Sequence, residues 1–189
     1  MLFRSKLFQP HLEGQPVVVL SNNDGCIVSR TDEAKQLGVE MAGPYFQAKP
    51  LIEAHGVATF SSNYNLYGDL SWRVMETLRT ILPANCVEVY SVDEAFLDLS
   101  HIAPQSLHSF AISIKETVEQ WTGIKVSIGV APTKVLSKVA NHLSKKNKAA
   151  TNCVLVLDSP RKIEQALLRT PVKDIWGVGY QHAQKLQLY

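Results

Sequence analysis

The stretch Tyr90-Ser91-Val92-Asp93-Glu94-Ala95-Phe96-Leu97-Asp98-Leu99-Ser100 decides how this chain is read. Residues 87–92 and 95–99 both read as strands, rich in β-branched and aromatic side chains. Between them stand two adjacent acids, Asp93 and Glu94. Neighbouring side chains on a regular strand point to opposite faces, so two carboxylates meant for one task would diverge. They converge only where the chain bends, as at the tip of a hairpin. Hard cations such as magnesium favour oxygen ligands, usually a few carboxylates completed by phosphate oxygens and water. Two such ions can activate an attacking hydroxyl and steady a departing pyrophosphate. Adjacent ionised acids also repel, and a dication relieves that repulsion. On spacing alone the commoner reading is the solvated tip of an ordinary hairpin, because acids abound at turns.

Upstream, residues 16–20 (Pro-Val-Val-Val-Leu) form an apolar β-branched run expected as a buried strand, and residues 21–25 are turn chemistry throughout. Residues 26–30 return as a second strand. Thr31 is a good N-cap for a helix over 31–37 with acids in its first turn, and Gly38 closes it. A helix over 44–54 ended by Gly56 and a strand over 57–61 follow. In the next segment Leu66, Leu70, Val74, Leu78 and Leu82 recur at four-residue steps, and Trp72, Met75 and Ile81 widen the stripe. That pattern predicts an amphipathic helix over 63–82, stopped by Pro83. Beyond the acid pair, Ile112, Ile114, Val118 and Trp121 support a helix before Gly123. Residues 125–130 alternate as a strand, and Pro132 opens a helix to about residue 146. A strand over 154–157, a helix over 161–168 and the start of one more helix complete the chain. The fold class is α+β. The order helix, strand, strand, helix, strand, helix over 63–146 needs one leading strand to make a ferredoxin-type unit. That strand is expected at Val57 or ahead of Met1.

The 189-residue chain is 46% hydrophobic, enough for one fair-sized core or one domain with pieces of others. No apolar run is long enough to cross a bilayer and the start does not read as a signal peptide, so a soluble cytoplasmic protein is expected. Cys26, Cys86 and Cys153 are far apart and odd in number, which fits no zinc spacing or disulfide frame and favours a reducing compartment. A net charge of +2 does not by itself point to nucleic acid, so any basic surface must be local.

Two further features bear on the acid pair. Lys134, Lys138 and Lys145 fall at helical offsets zero, four and eleven, which places them on one stripe, with Val135, Leu136, Val139 and Leu143 on the opposite side. By itself such a stripe is usually a solvated face; facing an acid pair across a sheet, it suits a nucleoside triphosphate with its metals. Lys145-Lys146-Asn147-Lys148 would also serve as a modest DNA-backbone patch. In Trp176-Gly177-Val178-Gly179, a tight Gly-X-Gly turn ahead of a helix could present N–H groups to a phosphate, or could be a simple turn between helices. His101 and His108 lack a ligand-spaced partner, Asp98 alternates away from the bend, and Tyr64 and Tyr67 fit a nucleotide pocket or a core equally well.

Together these residues resemble the Y-family of translesion DNA polymerases. The phrases that carry the likeness are P-V-V-V-L-S-N-N-D-G-C-I-V-S-R, E-A-K-Q-L-G-V, F-S-S-N-Y-N-L-Y, Y-S-V-D-E-A-F-L-D-L, I-G-V-A-P-T-K-V-L-S-K-V-A-N-H-L-S-K-K and I-W-G-V-G, in family order. The resemblance implies a ferredoxin-like polymerase palm over about 63–151, a small fingers segment over 1–62, and the start of a helix-hairpin-helix thumb over 152–189. It implies that Asp93 and Glu94 are catalytic and hold magnesium. Ser29, Arg30 and Lys35 match fingers positions that touch the incoming nucleotide, although many relatives carry Arg where Lys35 stands. Lys145 matches a palm lysine that reaches the triphosphate, and Gly177 and Gly179 match the turn that grips the DNA backbone. The implied activity is magnesium-dependent nucleotidyl transfer to a primer 3′-hydroxyl, in DNA repair and the SOS response. The implied partners are damaged primer–template DNA, deoxynucleoside triphosphates, an accessory subunit and a sliding clamp.

One departure stands out. The family opens with a palm strand carrying an Asp, followed by an aromatic steric gate, and this sequence is expected to begin after that point. Its first acid, Glu13, lies in the loop before Pro16 and cannot replace that Asp. The metal site is then short of a carboxylate, and turnover by the chain alone is expected to be low or nil. The alternatives are a fragment that binds DNA or partner proteins without catalysis, and a nucleotide cyclase on a similar palm, against which the Gly177–Gly179 turn counts.

Overall fold

A computed structural model of the chain describes residues 9–186. It divides into two compact units, Met1–Val74 with Thr122–Ile124, and Met75–Trp121 with Lys125–Tyr189.

In the first unit β1 (Val17–Leu20) lies between β2 (Ile27–Arg30), antiparallel, and β3 (Ala58–Phe60), parallel. All four residues of β1 are buried, as expected of a central strand covered on both faces and therefore written as a continuous apolar run. Helices α1 (Asp32–Gln36) and α2 (Tyr45–Ala54) follow β2 and close a core of Val18, Leu20, Ile27, Ala34, Val39, Ile52 and Val57. Thr31 joins sheet to helix. Its Oγ1 accepts from Val17 N at 3.1 Å and from Ala34 N at 3.2 Å, while its own N–H donates to Val17 O at 3.0 Å. One buried hydroxyl thus satisfies a strand donor and a helix-start donor together. Thr31→Ala orphans both and is expected to cost about 2 kcal/mol, with Thr31→Ser recovering most of it in a chemical denaturation series.

Helix α3 (Tyr64–Ile81) is the long amphipathic element, with Leu70, Met75 and Leu78 buried and Leu82 just beyond its end. The boundary between the two units falls within it. Trp72 does not widen its stripe: it is 60% exposed. It lies two residues on from Leu70, which turns it about 200° round the helix axis.

The second unit contains the hairpin β4 (Val87–Ser91) and β5 (Glu94–Leu97), α4 (Leu107–Thr122), β6 (Ile128–Val130), α5 (Lys134–Lys146), the short α6 (Lys148–Thr151), β7 (Val154–Val156), α7 (Pro160–Leu168) and α8 (Tyr180–Leu186). Strands β6 and β7 are parallel, and α5 packs its Val139, Ala140 and Leu143 against Leu157 and Ala166. The buried stripe of α4 runs through Ala111, Ile114, Lys115 and Val118, and Trp121, in the helix's last turn, is 61% exposed.

Several expectations need correction. The strand expected over 125–130 begins only at Ile128, because the Val126 N–H donates to Glu119 Oε1 at 3.1 Å instead of to a neighbouring strand. The helix expected from Pro132 begins at Lys134, where Thr133 caps it by accepting from Leu136 N at 3.3 Å. Val135 is 40% exposed and does not join the buried side. Among the described residues β4–β5 and β6–β7 are two two-stranded sheets, and the leading strand expected to complete a ferredoxin-type unit with them is not among the described strands. The segment after Val57 pairs, as β3, with β1 of the first unit and, among the described residues, with no strand of the second unit. The α+β character holds, with helices laid on several small sheets. Among the described residues no helix is long and apolar enough to cross a membrane.

Candidate active site

The hairpin register answers the question raised by the two acids. Val87 faces Leu97, Glu88 faces Phe96, and Val89 faces Ala95, but the next pair is Ser91 with Glu94. Tyr90 is therefore the extra residue of a β-bulge. Residues directly opposite across a ladder share a face, and a bulge places two side chains against one partner. Glu88, Tyr90, Ser91, Glu94 and Phe96 consequently lie on one side of the hairpin. Val92 and Asp93 make the turn. Ser91 Oγ donates to Asp93 Oδ1 at 2.8 Å and accepts from Asp93 N at 3.3 Å. The carboxylate of Asp93 is thus tied to a side chain on the Glu94 face. The bulge and the turn together bring the neighbouring acids to the same side.

Helix α5 covers that side. Lys138 Nζ lies 2.5 Å from Glu94 Oε1, and Lys134 Nζ lies 2.6 Å from both oxygens of Glu88. Three rings fill the space beside these pairs. Tyr90 and Trp176 meet edge-on at 5.5 Å, as do Tyr90 and Phe96 at 5.6 Å, and Phe96 and Trp176 lie tilted at 5.8 Å. Lys134 Nζ stands 5.1 Å above the Phe96 ring, and Lys138 Nζ stands 6.0 Å above both Tyr90 and Trp176. Asp93 is exposed and Glu94 half-buried. Two carboxylates on one face beside a basic helix are hard oxygen donors of the kind a dication takes when phosphate oxygens and water complete its shell. Among the described residues no group of three His, Cys, Asp or Glu side chains converges there or elsewhere. The donors present therefore fit a dication held jointly with a phosphate-bearing substrate, not a closed all-protein site.

Lys145 is exposed in the last turn of α5 and makes no ion pair among the described residues. Its neighbour Lys146 lies 3.6 Å from Asp174 Oδ2, as does His142 Nε2, which joins α5 to the segment leading into the Gly-X-Gly turn. In that turn Gly177 has φ +89°, a backbone that side chains resist, and Val178 N closes it onto Ile175 O at 3.0 Å. Gly179 precedes α8 with open space where a Cβ would go, and nothing in the structure explains it. Ser29, Arg30 and Lys35 belong to the first unit. Ser29 and Arg30 are consecutive on β2, opposite Val19 and Val18, so strand alternation sends them to opposite faces; Lys35 is exposed on α1. Tyr67 is buried and Tyr64 exposed, with 6.0 Å between their rings. His101 and His108 are exposed, and the three cysteines are free. Asp98 is exposed too, and the Ser100 N–H and hydroxyl hold its carboxyl below the usual aspartate range.

Sequence reasoning passed over Glu88, Tyr90, Ser91, Phe96 and Trp176. Counting outward from the turn would have paired Glu88 with Phe96 had the bulge been legible. Trp176 stood in a motif read only for its glycines.

The fold is that of the fingers and palm of Y-family DNA polymerases. Superposed on the insertion ternary complex of Dbh DNA polymerase, the chain gives a TM-score of 0.81 at 26% identity, covering 97% of this chain and 53% of that one. Residues 4–142 match the family described as impB/mucB/samB, and the chain belongs to that family. It is 46% identical to UmuC of Salmonella typhimurium over 181 residues, which is 95% of this chain and 42% of that protein. It is 41% identical to MucB of Escherichia coli over 180 residues, again 95% of this chain and 42% of the relative. The chain thus spans about two-fifths of the length of these curated relatives. Polymerases of this family use divalent metal ions.

Proposed function

We propose that the chain is the fingers, palm and initial thumb of an error-prone translesion DNA polymerase, with boundaries near residues 62 and 151, serving DNA repair and the SOS response. The observation that carries this reading is the placement of Asp93 and Glu94 on one hairpin face, under a helix whose lysines reach that face. In it Asp93 and Glu94 hold magnesium. The bound ion would supply Lewis-acid stabilisation of the attacking 3′-hydroxyl and of the departing pyrophosphate. Ser91 orients Asp93 through its hydroxyl, and the bulge at Tyr90 sets the angle at which Glu94 is offered. In the same reading Lys145, exposed in the last turn of α5, takes a triphosphate oxygen, and Ser29, Arg30 and Lys35 contact the incoming deoxynucleotide. Gly177 and Gly179 bring backbone N–H groups to the DNA phosphates. The accessory subunit and sliding clamp of the longer relatives are proposed partners.

The test is magnesium-dependent primer extension opposite a damaged template, with Asp93→Ala alongside. Extension should be weak, because among the described residues no third metal-ligating side chain joins Asp93 and Glu94, and should fall about a hundredfold or more in the variant. Extension indifferent to that substitution removes the reading. A second reading is favoured by the want of a three-carboxylate group among the described residues: a fragment that binds DNA without catalysis. It predicts DNA binding that Asp93→Ala leaves unaltered, with no extension at all. Product made from nucleotide without a primer would instead indicate a cyclase.

A further inference from the structure

We propose that Lys138 is a positioning residue for the acid pair: its ammonium holds the Glu94 carboxylate until a dication replaces it, and the ring faces of Tyr90 and Trp176 then retain the displaced ammonium. This rests on the reading of Asp93 and Glu94 as the acids that hold metal. The geometry gives Lys138 two kinds of partner at once. One is an anion, Glu94 Oε1, at 2.5 Å. The other is a pair of π faces, each centred 6.0 Å from Nζ, on rings set at 86° to one another. Cations are drawn to such faces at about this range, most strongly to indole. Lys138 and Glu94 are both largely shielded, with side chains 24% and 34% exposed, so their pairing is not a passing surface contact.

A dication and an ammonium on the same carboxylate repel one another, so metal loading is favoured when Lys138 leaves Glu94. Without the rings the ammonium would have to swing fully into water. With them it has a short path to a favourable seat, and it remains close enough to return when the metal departs. Lys134, one turn earlier on α5, provides the internal contrast. It has the same chemistry, an acid at 2.6 Å and a ring at 5.1 Å, but its acid is Glu88, which is not a member of the pair. Trp176 matters for a second reason. It sits beside Gly177, so the turn proposed to grip DNA and the lysine that guards Glu94 touch the same indole.

The experiment is manganese binding to the full 189-residue chain, followed by loss of the electron-spin signal of free Mn²⁺. Lys138→Met should bind Mn²⁺ about three- to tenfold more tightly than the parent. Lys138→Arg, which keeps a cation against Glu94, and Lys134→Met should each stay within about twofold. A single-tryptophan chain carrying Trp72→Phe and Trp121→Phe, both at exposed positions, gives a second readout. Mg²⁺ should alter Trp176 emission in that chain and leave it unaltered once Lys138→Met is added. If Glu94→Gln and Asp93→Asn bind Mn²⁺ as the parent does, the metal reading itself is wrong. If those two lose binding while Lys138→Met leaves affinity unchanged, only the role of Lys138 is overturned. Equal tightening by Lys138→Met and Lys134→Met would also overturn it, since that is a general effect of removing positive charge.

Discussion

Gly129→Ala is expected to destabilise the second unit by about 3 kcal/mol or more, enough to leave much of the protein unfolded at ordinary temperature. Gly129 is the central residue of β6, paired with Leu155 of β7. A Cβ there would lie 2.2 Å from both Ser137 O and Asn141 N and 2.9 Å from Ala140 C, all backbone atoms of α5. Flexible side-chain ends can yield to a new methyl group, but a helix backbone can yield only by moving the whole helix. Lifting α5 would open the packing of Val139, Ala140 and Leu143 and draw Lys134 and Lys138 away from Glu88 and Glu94. The damage should therefore appear as a lowered midpoint in urea. Gly68→Ala is the matched control. It adds the same methyl group to α3, with no atom within 4 Å of the new carbon, and should gain about 0.5–1 kcal/mol from helix propensity. A Gly129→Ala protein as stable as the parent would show that β6 and α5 are not in backbone contact.

Glu119→Ala is expected to cost about 3 kcal/mol, comparable with the loss at Gly129 but with a different signature. Glu119 Oε2 lies 3.1 Å from Lys115 Nζ and 3.5 Å from Lys125 Nζ, while Oε1 accepts from Val126 N at 3.1 Å. Lys115 is nearly buried, so removing its carboxylate leaves an ammonium in the interior without a counter-ion. Glu119→Gln keeps an acceptor for Val126 and should cost less. Lys115→Met combined with Glu119→Leu should recover much of the loss, because no buried charge is then left unpaired and Lys125 is exposed. The pH dependence follows from the same contacts. Burial pulls the Glu119 carboxyl upward, but the Val126 N–H and the Lys115 ammonium outweigh it and hold the group below the usual glutamate range. A folded value below the unfolded one means that the stabilisation is complete above about pH 4.5 and is lost as pH falls through the folded value. Melting temperatures of the parent and Glu119→Ala should be well separated at pH 7 and converge in acid. A gap that persists unchanged to pH 3 would show that the carboxylate charge is not what stabilises.

Much of the architecture was legible because it rests on local rules. Thr31 caps its helix as a threonine before acidic residues should, and the all-apolar run at 17–20 is buried on both faces. The four-residue spacing from Leu66 to Leu82 became the long helix, and Pro83 marked its end. The misreadings occurred where a distant partner overrode a local pattern. The alternation over 125–130 is a sound strand signal, yet Glu119 takes the Val126 N–H and the strand starts later. Trp72 and Trp121 are apolar residues near apolar stripes, yet both face outward because the direction of the neighbouring core, not hydrophobicity alone, selects the buried face.

The same division applies to the candidate site. That Asp93 and Glu94 are acids beside a bend, and that Lys134 and Lys138 share a helical stripe, follows from residue order and the periods of strand and helix. Their meeting does not. It depends on a one-residue bulge at Tyr90, which adds no distinctive residue to the sequence but alters which side chains share a face, and on backbone contact at Gly129, which lets α5 lie close enough for Lys138 to reach Glu94. Spacing along the chain is a one-dimensional quantity and specifies period. Register between strands and the distance between layers are set by packing among segments far apart in sequence, and only the folded chain contains them.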